Sequence, residues 1–128
     1  MSFEERTKVM LKNNNLYKKY SKKEIKEVLK SNFWGPYQRF ELLCGMLDHI
    51  DITCYNNIHY KSYLMGACRE LILAGFKPAD FELLLDPNFT EPQVDVLVLC
   101  IKNHIDISEI ADPNIYYKNM LEYYHSMK

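Results

Sequence analysis

The feature that most constrains the fold of this chain is an internal repeat. An aromatic residue, a glutamine four positions later and an Asp-Ile pair thirteen positions after that occur twice, with the glutamines at Gln38 and Gln93. Matching units begin at Trp34, Tyr60, Phe89 and Ile115, in steps of 26, 29 and 26 residues. Repeats with a period of about 20–50 residues are typical of supersecondary modules that stack against one another.

The local signals within each unit favour helix. Apolar residues recur at helical spacing, and no segment shows a convincing strand pattern. The triplets Asp86–Asn88 and Asp112–Asn114 break the chain just before two of the units, because proline disfavours helix in the residue before it. A long helix with a short second helix or turn cannot bury its apolar face alone, so neighbouring units must cover it.

Capping signals mark the predicted helix ends. Ser21 with Glu24 and Thr90 with Gln93 form capping boxes, and Gly75 is typical of the residue that follows a helix. The expected apolar faces carry Phe3, Met10 and Leu11 in the first helix, Tyr37, Phe40, Leu43, Cys44 and Leu47 in the third, and Ile115, Met120, Tyr123, Tyr124 and Met127 in the last. The predicted fold class is all-α, a short solenoid-like stack of helical repeats preceded by two N-terminal helices.

The length of 128 residues predicts a single domain, residues 1–128. Residues 1–33 form a basic helical head with nine basic and four acidic side chains, whereas the repeats, residues 34–128, carry seven and thirteen. The net charge of −1 argues against a polycation and against a mimic of DNA. The uneven distribution predicts either two binding faces of opposite sign or two parts that attract each other and keep the protein soluble.

The sequence shows no clear pattern of a membrane-spanning segment or of a metal site. The longest apolar run, Val96–Ile101, is far too short to span a bilayer, and Met1–Arg6 lacks the order of a signal peptide, so we expect a cytoplasmic protein. The four cysteines include no C-x-x-C pair. We expect them to be reduced and to be buried as small apolar residues. Cys100 and His104 are four residues apart and would share a face only if both lie on one helix.

No motif of a hydrolase, a zinc protease or a nucleotide-binding loop is present, and the chain has only four glycines. We therefore expect a chain that is not an enzyme and that needs no cofactor. The alternative to this expectation is a small hydrolase or a metal protein.

Two groups of residues are candidates for binding. Ten tyrosines are many for this length, and a partner protein is expected at the C-terminal helix, through Tyr116, Tyr117, Met120, Tyr123 and Tyr124. The alternatives there are a homodimer and a helix that folds back onto the basic head. The basic candidates for contacts with phosphates or with an acidic partner are Lys18, Lys19, Lys22 and Lys23, for which a solvated helix face is the alternative.

The repeat frame resembles a known 26-residue helical repeat, aromatic-x-x-x-Gln-Met, Ile, Gly-Leu-Asp, Ala-Asp-Pro, of proteins from Firmicutes and their mobile elements. Residues 105–113 are the nearest stretch, and the resemblance covers residues 34 to 120. The first unit departs from it with Asn57-Ile58 in place of Asp-Pro, and the second lacks the Asp of Asp-Ile. The resemblance implies an α-helical fold and assigns no activity.

The expected function is that of a non-catalytic protein-binding module. Its concrete form, which follows from the resemblance and the small size, is a phage- or plasmid-encoded inhibitor that docks onto a bacterial defence effector, of the anti-CRISPR type. The alternative is a nucleic-acid-associated regulator that uses the basic N-terminal helices or reaches nucleic acid through a nucleoprotein partner.

Overall fold

A computed structural model describes all residues, 1–128, and every regular element in it is helical. The elements are α1 (Phe3–Asn13), α2 (Lys22–Lys30), α3 (Pro36–Leu47), α4 (Ser62–Leu73), a short 3₁₀ helix (Pro78–Leu84), α5 (Glu91–Lys102) and α6 (Tyr117–Met127). The only β-type pairing is an isolated bridge between Tyr17 and Ile50. The all-α prediction is confirmed.

The last four α-helices start and end at corresponding positions. Each begins two residues after the first residue of a unit, at Pro36, Ser62, Glu91 and Tyr117. Fifteen residues into the first three units the backbone turns left-handed, with φ of 59° at His49, 101° at Gly75 and 58° at His104. A left-handed residue after a helix lets the next N–H bond back to the last turn.

The loops between units also share one geometry. The side chains of Asn57, Asp86 and Asp112 each accept a hydrogen bond, at 2.9 Å, from the backbone N–H two residues later. Such a bond mimics a backbone turn and stabilises the chain reversal. Asn57 therefore forms the same turn as the two Asp-Pro units, although it lacks both the acid and the proline.

A side chain near the start of each helix connects its unit to the next. The Gln38 amide donates to the backbone oxygens of Ile58 and Tyr60 at 2.9 and 2.8 Å. In the third unit, the Gln93 amide donates to Pro113 and Ile115 at 2.9 and 2.7 Å.

The second unit has no glutamine at this position, and its Tyr63 hydroxyl donates instead to the carbonyl of Phe89. In all three units the carbonyl of the first residue of the following unit is an acceptor. Polar side chains thus satisfy the carbonyls that start the next unit.

Each helix from α2 onward packs against the next one in sequence, and α5 also contacts the 3₁₀ helix. One apolar cluster runs from Leu11 in α1 to Tyr124 in α6. The most enclosed helix is α5, in which even Val96 and Val98 are buried together with the inner face.

The basic head is attached to the first unit. The hydroxyl of Tyr20, which is buried, donates to the Ile50 carbonyl at 3.0 Å and accepts from the Ile52 N–H at 3.1 Å. Two backbone bonds join the same segments, from Lys18 to His49 and from Asp51 to Leu16, at 2.9 and 2.7 Å. The head therefore packs on the repeats at the α3 end of the row.

The expected apolar face of α3 was wrong. The residues that face the core are Leu42 and Met46, whereas Tyr37, Phe40 and Leu47 are exposed. Of the expected face, Leu43 alone packs against the core. The helix has two apolar faces, and Gly45 determines which of them is buried. Tyr55 packs so closely against Gly45 that an added Cβ there would lie 1.9 Å from the Tyr55 hydroxyl. The close approach of Tyr55 holds the Gly45 side of α3 inward.

The expected face of α1 was also wrong at one end, because Leu11 is fully buried but Phe3 is exposed. In α6, Met120 and Tyr124 are buried as expected, whereas Met127 is exposed.

Candidate interaction surfaces

The most unusual surface of the molecule is a line of apolar side chains on the outside of α3. We call it the outer stripe, and it consists of Phe33, Tyr37, Phe40, Cys44 and Leu47. The three aromatic members are 66%, 77% and 59% exposed, and Leu47 is 65% exposed. Phe33 lies just before α3, and the spacing of three or four residues places Tyr37, Phe40, Cys44 and Leu47 on one face of this helix, which is about 18 Å long.

The stripe occurs in one unit only. The positions that correspond to Phe40 and Cys44 hold Gly66 and Glu70 in α4, and Asp95 and Leu99 in α5. The scaffold therefore repeats while the outer side chains differ, and only α3 has apolar residues at all of these positions, since α4 keeps only Tyr63 and Leu73 and α5 only Leu99 and Pro92. Large exposed apolar patches on a soluble protein mark sites of interaction with other molecules.

An acidic depression lies beyond α4, between α4 and α5. This α4–α5 groove has a floor of small or apolar residues, among them Gly66, Ala67 and Val98, and an acidic rim. On the rim, Glu70 is paired with Lys102, whereas Glu91 and Asp95 take part in no ion pair. Between the stripe and the groove, the Arg69 guanidinium connects α4 to Glu41 and Asp48 of α3 at 3.3 Å each.

On the other side of α3 lies a group of cations that we call the basic flank. Its members are exposed and make no ion pair, and they are Lys18, Lys19, Lys22, Lys23, Lys26 and Lys30. The four candidate lysines of the sequence analysis all belong to it. Lys18 lies 5.2 Å over the ring of Tyr20, but that ring is buried and is not free to stack on a base.

The C-terminal candidates do not form one surface. Met120 and Tyr124 pack into the core, so a partner on the folded surface cannot reach them. Tyr123 is half-buried, and its hydroxyl donates to the Asp106 carbonyl at 3.0 Å. Tyr116 and Tyr117 remain accessible, with their rings edge to face at 5.0 Å. The helix packs on α5 and not on the basic head.

The cysteines show a contact that their spacing did not indicate. A hydrogen bond with Cys68 lowers the pKa of the Cys54 thiol, whereas that bond and burial raise the pKa of Cys68. Cys100 and His104 share no helix face, because α5 ends at Lys102 and His104 lies in the left-handed turn after it. No group of three or more His, Cys, Asp or Glu side chains is placed to hold a metal ion.

The largest depression, about 710 Å³, lies between the loops that follow α4 and α5. Its acids are Asp80, Glu82 and Asp106, and its one imidazole, His104, lies against the ring of Phe76 with the ring centres 5.6 Å apart. It contains no serine, threonine or cysteine. The arrangement therefore offers no hydroxyl or thiol nucleophile beside this imidazole.

The outer stripe was not predicted from the sequence to be an exposed surface. A signal was present, since Leu42 and Met46 are as apolar as Tyr37, Phe40 and Leu47 and lie on the opposite side of the helix. A helix that is apolar on two faces either packs against other elements on both faces or leaves one of them exposed for a partner.

No helix is long and apolar enough to cross a membrane. No family model, curated protein or solved structure matches this chain.

Proposed function

We propose that this chain is a non-catalytic protein-binding module and that the outer stripe is its interface. The observation that carries the proposal is the exposure of Tyr37, Phe40 and Leu47 along one face of α3 and of Phe33 just before it. Aromatic side chains are enriched at protein interfaces and dominate their binding energy. A scaffold that presents such a row of exposed aromatic side chains is suited to act by association.

The area agrees with that role. At about 200 Å² for each large side chain, the exposed parts of these four residues amount to roughly 500 Å². A partner in a standard protein–protein interface contributes about 800 Å², of which the centre is apolar and the rim polar. The stripe supplies such a centre, and the charged residues on either side of α3 supply a rim.

The concrete form that we propose is an inhibitor, encoded by a phage or plasmid, that blocks a bacterial defence effector by docking on it. Its support is the resemblance of the repeat and the small size of the chain. It is expected to be cytoplasmic and to act without a cofactor.

The test compares Phe40→Ser with Leu83→Ser, which changes an apolar residue that is also exposed but lies away from α3. Proteins that co-purify with the chain from bacterial cells are identified and their binding is reconstituted from purified components. We expect Phe40→Ser to weaken the binding at least about tenfold and Leu83→Ser to leave it unchanged. Equal binding by both variants would contradict the proposal.

A second candidate, direct binding of nucleic acid, is favoured by the six unpaired lysines of the basic flank. Contacts with four phosphates give a slope of about −3.6 in a plot of log affinity against log salt concentration for duplex DNA. Titration of a short labelled duplex measures that slope, and the Lys→Glu variant at positions 18, 19, 22 and 23 should abolish it. Binding that does not depend on salt would reject this candidate.

A further inference from the structure

We infer that the occupant of the outer stripe is a second copy of this chain, related by a twofold axis that runs parallel to α3. The inference rests on the proposed function, since it takes the stripe to be a protein interface and names the partner. It follows from the order of charges across the surface.

The packing order of the helices sets that order of charges. Because α2 packs on α3, α3 on α4 and α4 on α5, the basic flank and the α4–α5 groove lie on opposite sides of the stripe. Across the surface the sequence is therefore basic, apolar, acidic. On the basic side Lys22 and Lys26 are unpaired, and the lysines of the basic flank outnumber the two unpaired acids of α2, Glu24 and Glu27, by six to two. On the acidic side Glu91 and Asp95 are unpaired.

Such a surface is complementary to itself. In a twofold dimer the same patch is used by both copies, and the axis lies within the interface. An axis parallel to α3 places stripe on stripe and lays the basic flank of each copy over the acidic groove of the other. An axis perpendicular to α3 would instead place the basic flanks on each other, and like charges brought together oppose association.

The recessed surface of α4 allows this approach. Gly66 occupies the position that corresponds to Phe40, so α4 presents no large side chain there. The Glu41 carboxylate covers Gly66 on the side of the stripe, 3.2 Å from where a Cβ would lie. Beyond it, the α4–α5 groove leaves room for the edge of a second molecule. With stripe packed on stripe, the edge of each copy would thus lie against the recessed surface of α4 in its partner.

The test uses two charge-reversed variants of the full chain, and sedimentation measures the mass. The first variant is Lys22→Glu with Lys26→Glu, and the second is Glu91→Lys with Asp95→Lys; all four residues are exposed. We expect the unmodified chain to sediment as a dimer and each variant alone to dissociate at least about tenfold more readily, because each now opposes like charges. An equimolar mixture of the two should dimerise again, since both contacts are then between opposite charges.

The control for the apolar contact is Phe40→Ser beside Leu83→Ser, with circular dichroism to confirm that each variant is folded. Only Phe40→Ser should weaken the dimer. A chain that stays monomeric up to about 1 mM would overturn the inference. So would a dimer that Phe40→Ser leaves intact, or a mixture of charge variants that fails to associate.

The two proposals fail in different ways. If the chain is monomeric while Phe40→Ser still disrupts binding to another protein, the dimer is wrong and the proposed function stands. If Phe40→Ser changes neither self-association nor any other binding, both are wrong.

Discussion

Gln38 and Gln93 lie 55 residues apart in the sequence and make the same set of hydrogen bonds. Each amide nitrogen donates to two backbone oxygens of the following loop, and each amide oxygen accepts from a backbone N–H three residues earlier, in Gly35 and Thr90, at 2.9 and 2.8 Å. One glutamine therefore caps its own helix and holds the start of the next unit.

The first prediction concerns these glutamines. Gln93→Ala removes the partners of three backbone groups in a buried site and should lower the free energy of unfolding by about 2–4 kcal/mol. Gln38→Ala should cost less, because Gln38 is half-buried and water can replace part of its bonds. Urea titrations measure both values, and a loss below about 0.5 kcal/mol for Gln93→Ala would contradict the role given to it.

The second prediction is that one chemical change has opposite effects at two buried tyrosines. Tyr20→Phe leaves the Ile50 carbonyl and the Ile52 N–H without their partner and should cost about 1–3 kcal/mol. The Tyr55 hydroxyl is buried and has no hydrogen-bond partner, so Tyr55→Phe should be neutral or stabilising. Thermal and urea unfolding decide the signs, and a large loss for Tyr55→Phe would show that its hydroxyl is bonded.

The third prediction concerns pH. Burial raises the pKa of Tyr55 above its ordinary value near 10, so folding favours the protonated phenol. Its contribution is therefore fully present below pH 10 and is lost as the pH rises beyond the unfolded value. The free energy of unfolding should fall between about pH 10 and 11.5, and Tyr55→Phe should reduce that slope. If Tyr55→Phe leaves the slope unchanged, other titrating groups are responsible for the loss of stability at alkaline pH.

The fourth prediction uses the left-handed turns. Gly75 and His104 occupy corresponding positions, and both have positive φ. Gly75→Ala should cost about 1–2 kcal/mol, because a side chain is disfavoured there. His104→Gly relieves that strain and should not reduce stability by more than its lost contact with Phe76, about 0.5 kcal/mol. Urea titrations measure both values, and a loss clearly above about 0.5 kcal/mol for His104→Gly would mean that the two turns are not equivalent.

Much of the fold could be predicted because its signals are local. The capping boxes at Ser21 and Thr90 and the turn after α4 at Gly75 are set by residues within a few positions of each other, and the structure shows all three. The repeat frame likewise placed the first residues of the units, since each helix starts two positions later.

The inward face of α3 could not be predicted in that way. It depends on the contact of Gly45 with Tyr55 and on the attachment of Tyr20 to Ile50, which join distant parts of the chain. The contact that Tyr63 makes in place of a glutamine in the second unit could not be predicted either. Tyr63 lies one position earlier in its helix than the glutamines do in theirs, and it reaches the corresponding carbonyl from there. The helical members of the outer stripe, Tyr37, Phe40, Cys44 and Leu47, were therefore predicted to face the core.

The most direct measurement of the central claim is covalent capture at the stripe. A photoreactive benzoylphenylalanine replaces Tyr37 in one variant and Leu83, another exposed position, in a second one, and both are irradiated in bacterial cells. The account predicts one discrete adduct at position 37, whose mass distinguishes a second copy from another protein, and none at position 83. The absence of an adduct at position 37, or the same adducts at both positions, would contradict it.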